Sequence, residues 1–249
     1  MTRKIFFSIF ILFFLASCGK KEESFPVEHW YDLSINNMKK GNLYSAQEAL
    51  EKIEIEFPYS KFSDKAEILL GFLHFINKDY DKAAISAEKF IKLRPANQYV
   101  SYMYFLRAEA YMQQMSDYLR DQTVTKQSKN SFLQLISRFS NEKYYNYSTK
   151  SISKINETIA NYYLDIGRTH QKKEEYISAI SRFKMIIEKY HYTIYAPEAY
   201  FRLVETYYAL GLTSQAIYQS KILREKFPEN IWNKRNLIFT NKYVKKATN

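Results

Sequence analysis

Residues 41–58 read Gly41-Asn-Leu-Tyr-Ser-Ala46-Gln-Glu-Ala-Leu-Glu-Lys-Ile-Glu-Ile-Glu-Phe57-Pro58, and residues 211–228 read Gly211-Leu-Thr-Ser-Gln-Ala216-Ile-Tyr-Gln-Ser-Lys-Ile-Leu-Arg-Glu-Lys-Phe227-Pro228. Both open on glycine, carry alanine five places later and close on Phe-Pro. Two further stretches keep the phrase with changed ends: Lys78 to Pro95 around Ala83, and Glu174 to His191 around Ala179. A degenerate fifth copy runs from Asn130 to Ser140. Each copy reads as a turn followed by a helix, and proline stops the helix because its ring cannot continue the hydrogen-bond ladder. Self-similarity at this period predicts a stacked helical array.

The phrase resembles the second helix of the tetratricopeptide repeat, a 34-residue antiparallel helix pair. Laid on that template, the units cover 27–60, 64–97, an irregular 98–142, 160–193 and 197–230. The rare residues support the register. Gly71 and Gly167 fall mid-way along first helices, where close packing needs a small residue, while Gly41 and Gly211 fall at the turns. Pro26 and Pro197 sit where helices begin, a position that tolerates proline. Tyr31, Leu33, Leu43, Leu50, Leu70, Tyr80, Phe183, Leu203 and Tyr207 are the expected core, so the excess of 23 Tyr and 18 Phe is mostly packing. Stretch 118–131 is expected to insert residues between two helices, and 141–159 to lengthen the next helix into a spacer. The fold expected is all-α, a solenoid of about five such units.

Ahead of the repeats, Arg3 and Lys4 precede an apolar run from Ile5 to Leu15 and then Leu15-Ala16-Ser17-Cys18. A charged start, a short apolar core and small residues form a secretory signal peptide. The run falls well short of the roughly 20 residues that span a bilayer. Leu-Ala-Ser-Cys resembles the bacterial lipobox, which implies removal of 1–17, acylation of Cys18 and an acyl anchor. Cys18 is the only cysteine, so no intramolecular disulfide forms. Gly19 stands where an aspartate resembles an inner-membrane retention signal, which points to the outer membrane, periplasmic face. The tether from Gly19 to Pro26 reaches roughly 26 Å.

The whole chain carries a formal charge of +11. In an exported lipoprotein that surplus suits lipid headgroups or acidic proteins rather than nucleic acid. Enzyme chemistry is not legible. The four histidines, His29, His74, His170 and His191, show no zinc spacing, and His74 and His170 share one repeat position that suits packing. Cys18 is committed to lipid, so no thiol nucleophile remains, and no nucleophile elbow or phosphate loop is present. Glu22-Glu23 and Glu174-Glu175 read as solvated charge. No catalytic residue, metal or cofactor is expected.

The lipobox, the short tether and five units split by an irregular third resemble the BamD family, the repeat lipoproteins of the outer-membrane β-barrel assembly machinery. The likeness is carried by Phe57-Pro58-Tyr59-Ser60, Phe90 to Pro95, Tyr99-Val100-Ser101-Tyr102 running on to Arg107, Arg120-Asp121-Gln122, Tyr162-Tyr163 and Arg182. The resemblance implies a non-enzymatic periplasmic scaffold with a domain plan of a signal peptide over 1–17, an acylated tether over 18–26, and repeat units at 27–142 that receive the C-terminal signal of unfolded outer-membrane proteins. Units at 143–230 would bind a POTRA domain of the BamA-like barrel protein, and a basic cap fills 231–249. It implies Phe57 and Tyr59 in the signal groove, Arg182 against a partner carboxylate, and other Bam lipoproteins as companions. Arg107 and Asp121 are expected to pair and brace the irregular unit. The alternative is another periplasmic repeat adaptor, serving cell division or secretin assembly. The basic tail, with Lys234, Arg235, Lys242, Lys245 and Lys246, reads either as a polar cap or as a contact for acidic partners or headgroups.

Overall fold

Among the described residues, helix follows helix through short turns. The computed structural model describes residues 25–115, 122–140 and 143–247, and over these it holds eleven helices and no strand. Five pairs run α1 (Val27–Lys39) with α2 (Leu43–Glu56), α3 (Ser63–Ile76) with α4 (Tyr80–Leu93), α5 (Val100–Gln113) with α6 (Thr123–Arg138), α7 (Tyr145–Lys172) with α8 (Tyr176–Lys189), and α9 (Ala196–Ala209) with α10 (Thr213–Lys226). Helix α11 (Ile231–Ala247) closes the chain. The fold is the all-α tetratricopeptide type. Two compact units are present, residues 1–67 and residues 68–249.

The turns repeat as the sequence does. Gly41, Lys78, Glu174 and Gly211 all take left-handed backbone, with φ of 78°, 64°, 61° and 73°. In each, the next amide reaches back over the turn, as Asn42 N to Asn37 O and Leu212 N to Tyr207 O, satisfying carbonyls that the helix end leaves open. Glycine enters this region without penalty, whereas a side chain costs about 1–2 kcal/mol. Gly41→Ala and Gly211→Ala are therefore expected to lose about 1 kcal/mol. Lys78→Gly and Glu174→Gly should lose nothing or gain slightly, as thermal unfolding of the four variants would read.

The other junction repeats too. Phe57, Arg94, Phe139, Tyr190 and Phe227 cap second helices with φ between −131° and −136°. Ala46, Ala83, Ala179 and Ala216 are fully buried, as their shared position requires. In unit 68–249, a cluster around Phe90, Met103, Phe132, Ile155, Ile159, Phe183 and Leu203 forms the main core. Gly71 and Gly167 lie at crossings: a Cβ on Gly71 would stand 3.1 Å from Leu106 Cδ2, and one on Gly167 would stand 2.5 Å from Phe183 Cε1.

Some expectations change. Leu50, Leu70, Phe183, Leu203 and Tyr207 are buried, but Tyr31, Leu43 and Tyr80 are half-buried and Leu33 is 36% exposed. Leu43 and Tyr80 open second helices, where less of the neighbouring helix covers them than at mid-helix positions. Helix α6 begins at Thr123, so most of the expected 118–131 insertion is helical. The spacer does join the next first helix, making α7 28 residues long. His170 is not core: its Nδ1 lies 2.5 Å from Glu175 Oε2, so Glu175 is a hydrogen-bond partner rather than idle solvated charge.

Candidate partner-binding surfaces

In unit 1–67, helices α1 and α2 enclose a groove of about 600 Å³ lined by Trp30, Leu33, Asn37, Ser45, Glu48, Ala49, Glu51, Lys52 and Ile55. The apolar walls arise because Leu33 and Ile55 face outward, Ile55 at 77% exposure. Lys52 Nζ stands 4.6 Å over the Trp30 ring, and the Trp30 indole N–H is enclosed with no acceptor among the described residues. Phe25 and His29 pack on the other side of Trp30, at 5.9 and 5.3 Å between ring centroids. The groove thus joins an aromatic floor to one ammonium, that of Lys52, which also meets Glu56 at 3.7 Å, with Glu48 and Glu51 on its walls; its apolar part suits an aromatic or aliphatic side chain.

Phe57 and Tyr59 lie outside that lining. Phe57 is half-buried at the end of α2, its N–H donating to Ile53 O, and Tyr59 projects fully into solvent at 99% exposure. They follow Ile55, which lines the groove, by two and four residues in the chain. No pattern in the sequence marked Trp30 or Lys52. Their facing-helix geometry becomes visible only when α1 and α2 pack.

In unit 68–249, Arg182 sits half-buried on α8. Its Nε is enclosed and has no hydrogen-bond acceptor among the described residues, and no carboxylate there lies within ion-pair distance. Lys189 follows two turns later. Lys129, from α6, places its Nζ 5.0 Å over the Tyr190 ring. Burial first, and the Lys189 ammonium second, hold Lys129 below the usual lysine range. Burial, then the neighbouring Tyr163 and Tyr192, raises the Tyr190 phenol. Lys129 and Lys189 thus bring two positive charges close together here.

The expected Arg107–Asp121 brace cannot be followed, because Asp121 lies outside the described residues, as does Cys18. Arg107 itself is buried. It donates to Gln134 Oε1 at 2.5 Å and meets Glu88 Oε2 at 3.4 Å, while its guanidinium lies 5.1 Å from the Tyr104 ring centroid. Arg138 bonds the Tyr104 hydroxyl. Tyr102, from the same phrase, lies near Tyr144, and burial pushes its phenol up to about 12. These residues tie α4, α5 and α6 together.

A second polar cluster went unread in the sequence. Glu198, 5% exposed in the first turn of α9, accepts from Arg168 through Nε at 2.9 Å and again through its Nη2, and from Arg202 Nε at 3.1 Å. Arg202 also donates to Glu205 at 2.9 Å. The spacing from Glu198 to Arg202 is a helical i, i+4 pair that pattern reading could have flagged. Arg168, 30 residues earlier, could not be matched without the packing.

A family model described as an outer membrane lipoprotein, YfiO, matches residues 24–222. The chain belongs to this family. Two relatives named outer membrane protein assembly factor BamD stand out. The Caulobacter vibrioides protein is 32% identical over 210 residues, covering 84% of this chain and 69% of its own. The Rickettsia prowazekii protein is 33% identical over 222 residues, covering 88% of each. The Neisseria meningitidis serogroup A protein of the same name is 24% identical and covers 84% of this chain and 82% of its own. None of these three names points to division or secretin assembly. The matched stretch includes the residues of the groove of α1 and α2 and Arg182. Among the described residues no helix is long and apolar enough to cross a membrane.

Proposed function

We propose that this chain is the lipid-anchored, non-enzymatic scaffold of the outer-membrane β-barrel assembly machinery. Cys18 carries the anchor at the periplasmic face of the outer membrane, and no cofactor is used. The second units meet an acidic side chain on a POTRA domain of the barrel protein, and the first receive the C-terminal signal of unfolded barrel proteins. Other lipoproteins of the machinery are its companions. The observation that carries the partner reading is Arg182, a half-buried arginine whose enclosed Nε has no acceptor among the described residues. A carboxylate from outside would complete it through paired, charge-assisted bonds.

Arg182→Glu is expected to weaken co-isolation of the POTRA-bearing partner on the order of thirtyfold or more, the size of loss when one half of a close interfacial charge pair is reversed. Arg182→Lys should fall between, since an ammonium cannot reproduce the planar fork. Equal recovery of partner with all three proteins would refute the assignment. Cys18→Ala is expected to leave the protein in the soluble envelope fraction, which fractionation reads directly.

The signal groove is tested by fluorescence. The chain has two tryptophans, Trp30 and Trp232, so Trp232→Phe leaves Trp30 as sole reporter. Peptides ending in a free C-terminal phenylalanine should change its emission saturably, and the same peptides as C-terminal amides should not. Phe57→Ala and Tyr59→Ala would weaken the response if these residues guide the peptide in, as proposed.

A further inference from the structure

The last helix of a stacked repeat array is expected to turn a polar face outward, since nothing further stacks on it. Helix α11 does not. Its inner side is held firmly: Trp232 lies 5.6 Å from Phe201 between centroids, Phe239 meets Phe201 and Tyr208 at 6.0 and 5.9 Å, and Asn236 Nδ2 donates to Ser220 Oγ at 2.9 Å. The outer side presents Ile231 and Ile238, 57% and 72% exposed, with Leu237 at its edge. Ile231 and Ile238 are two turns apart, so they share one face. Lys234 and Lys242 are exposed on that same face by helical spacing, and Arg235 is exposed beside it. The sequence adds Lys245 and Lys246, and residues 231–247 contain no aspartate or glutamate.

We propose that this outer face of α11 docks on an anionic phospholipid surface. The chemistry fits that occupant better than a protein. Single isoleucines set among lysines match the boundary between headgroups and acyl chains, where apolar side chains dip in and long lysine stems carry their charges back to the phosphates. A charge of one sign along the whole helix complements a uniformly anionic surface. A protein interface instead concentrates large aromatics at its centre within a rim of mixed polar groups; of the α11 aromatics, Trp232 and Phe239 are turned inward, and Tyr243, 37% exposed, is already stacked on Tyr208 at 4.4 Å. This inference goes beyond the assembly reading and does not depend on the partner that Arg182 meets.

The test places a photoreactive amino acid at Ile238 in the full-length protein in its native envelope, with the same probe at Ile177 of α8, 73% exposed, for comparison. Irradiated protein is weighed by mass spectrometry. Adducts of phosphatidylglycerol or cardiolipin mass are expected at Ile238 and not at Ile177. Lys234→Gln with Lys242→Gln should cut their yield on the order of tenfold, since each basic side chain near such a surface counts for roughly fivefold in affinity. Both lysines are solvent-exposed, so the core contacts of Trp232 and Phe239 stay intact. Protein adducts in place of lipid, lipid adducts equally frequent at Ile177, adducts no richer in anionic than neutral lipid, or a yield that ignores the lysine changes would each overturn the proposal.

Discussion

Glu198→Ala is expected to lower the unfolding midpoint by roughly 10 °C, the largest single loss among the substitutions considered. The carboxylate is nearly sealed from water and accepts from two guanidiniums, those of Arg168 on α7 and Arg202 on its own helix. It also sits at the start of α9, where negative charge complements the helix dipole. Its removal leaves two guanidiniums facing each other without their shared carboxylate, although both keep some water, at 37% and 25% exposure, and Arg202 keeps Glu205. Breaking a buried ion pair from one side costs about 3–5 kcal/mol; with the cations part-exposed the lower end applies, and for a chain of this size each kcal/mol moves the midpoint by roughly 2–4 °C. Arg202→Ala should cost far less, because Arg168 still pairs with Glu198 and because Arg202 is more exposed than its partner. Thermal unfolding followed by circular dichroism decides the matter, and equal midpoints for the two variants would show that the cluster does not act through Glu198.

Gly167→Ala is the second large effect, expected near 2 kcal/mol of lost stability. A methyl there would fall 2.5 Å from Phe183 Cε1 and 2.8 Å from Cδ1, on a ring that is itself fully buried. Overpacking of this kind costs up to about 3 kcal/mol, offset in part by the roughly 1 kcal/mol that alanine gains over glycine inside a helix. Gly71→Ala makes the contrast. Its new methyl would meet the tip of Leu106 at 3.1 Å, a side chain that can yield, so the two terms nearly cancel and the midpoint should barely move. Pairing Gly167→Ala with Phe183→Leu, which withdraws the ring, should recover part of the loss that the two single changes would predict in sum. Strict additivity would place the damage elsewhere.

The repeat was legible because its signals are local. Gly41 and Gly211 mark a backbone region that side chains avoid, and Phe57-Pro58 and Phe227-Pro228 mark helix ends. Four alanines at one offset announced the crossing. Even the two irregular turns, at Lys78 and Glu174, were placed by their neighbours although neither residue favours that conformation. The candidate surfaces were less legible. Arg182 could be singled out only through its family, since nothing in its sequence neighbourhood distinguishes an arginine with an internal partner from one without. Leu33 reads as core by its spacing, yet it is 36% exposed and lines the groove with Ile55.

What the sequence alone determined is the ladder of helices and their turns. Each of these depends on residues within four or five positions of one another, the reach of a helical hydrogen bond or a turn. Only the tertiary structure decided which charges meet and which remain open. The bond from Arg168 to Glu198 spans 30 residues, and the ammonium of Lys129 reaches the ring of Tyr190 across two helices. Such contacts hang on the rotation of one packed helix against the next, a quantity set by the interlocking of buried side chains and written in no local stretch of the chain.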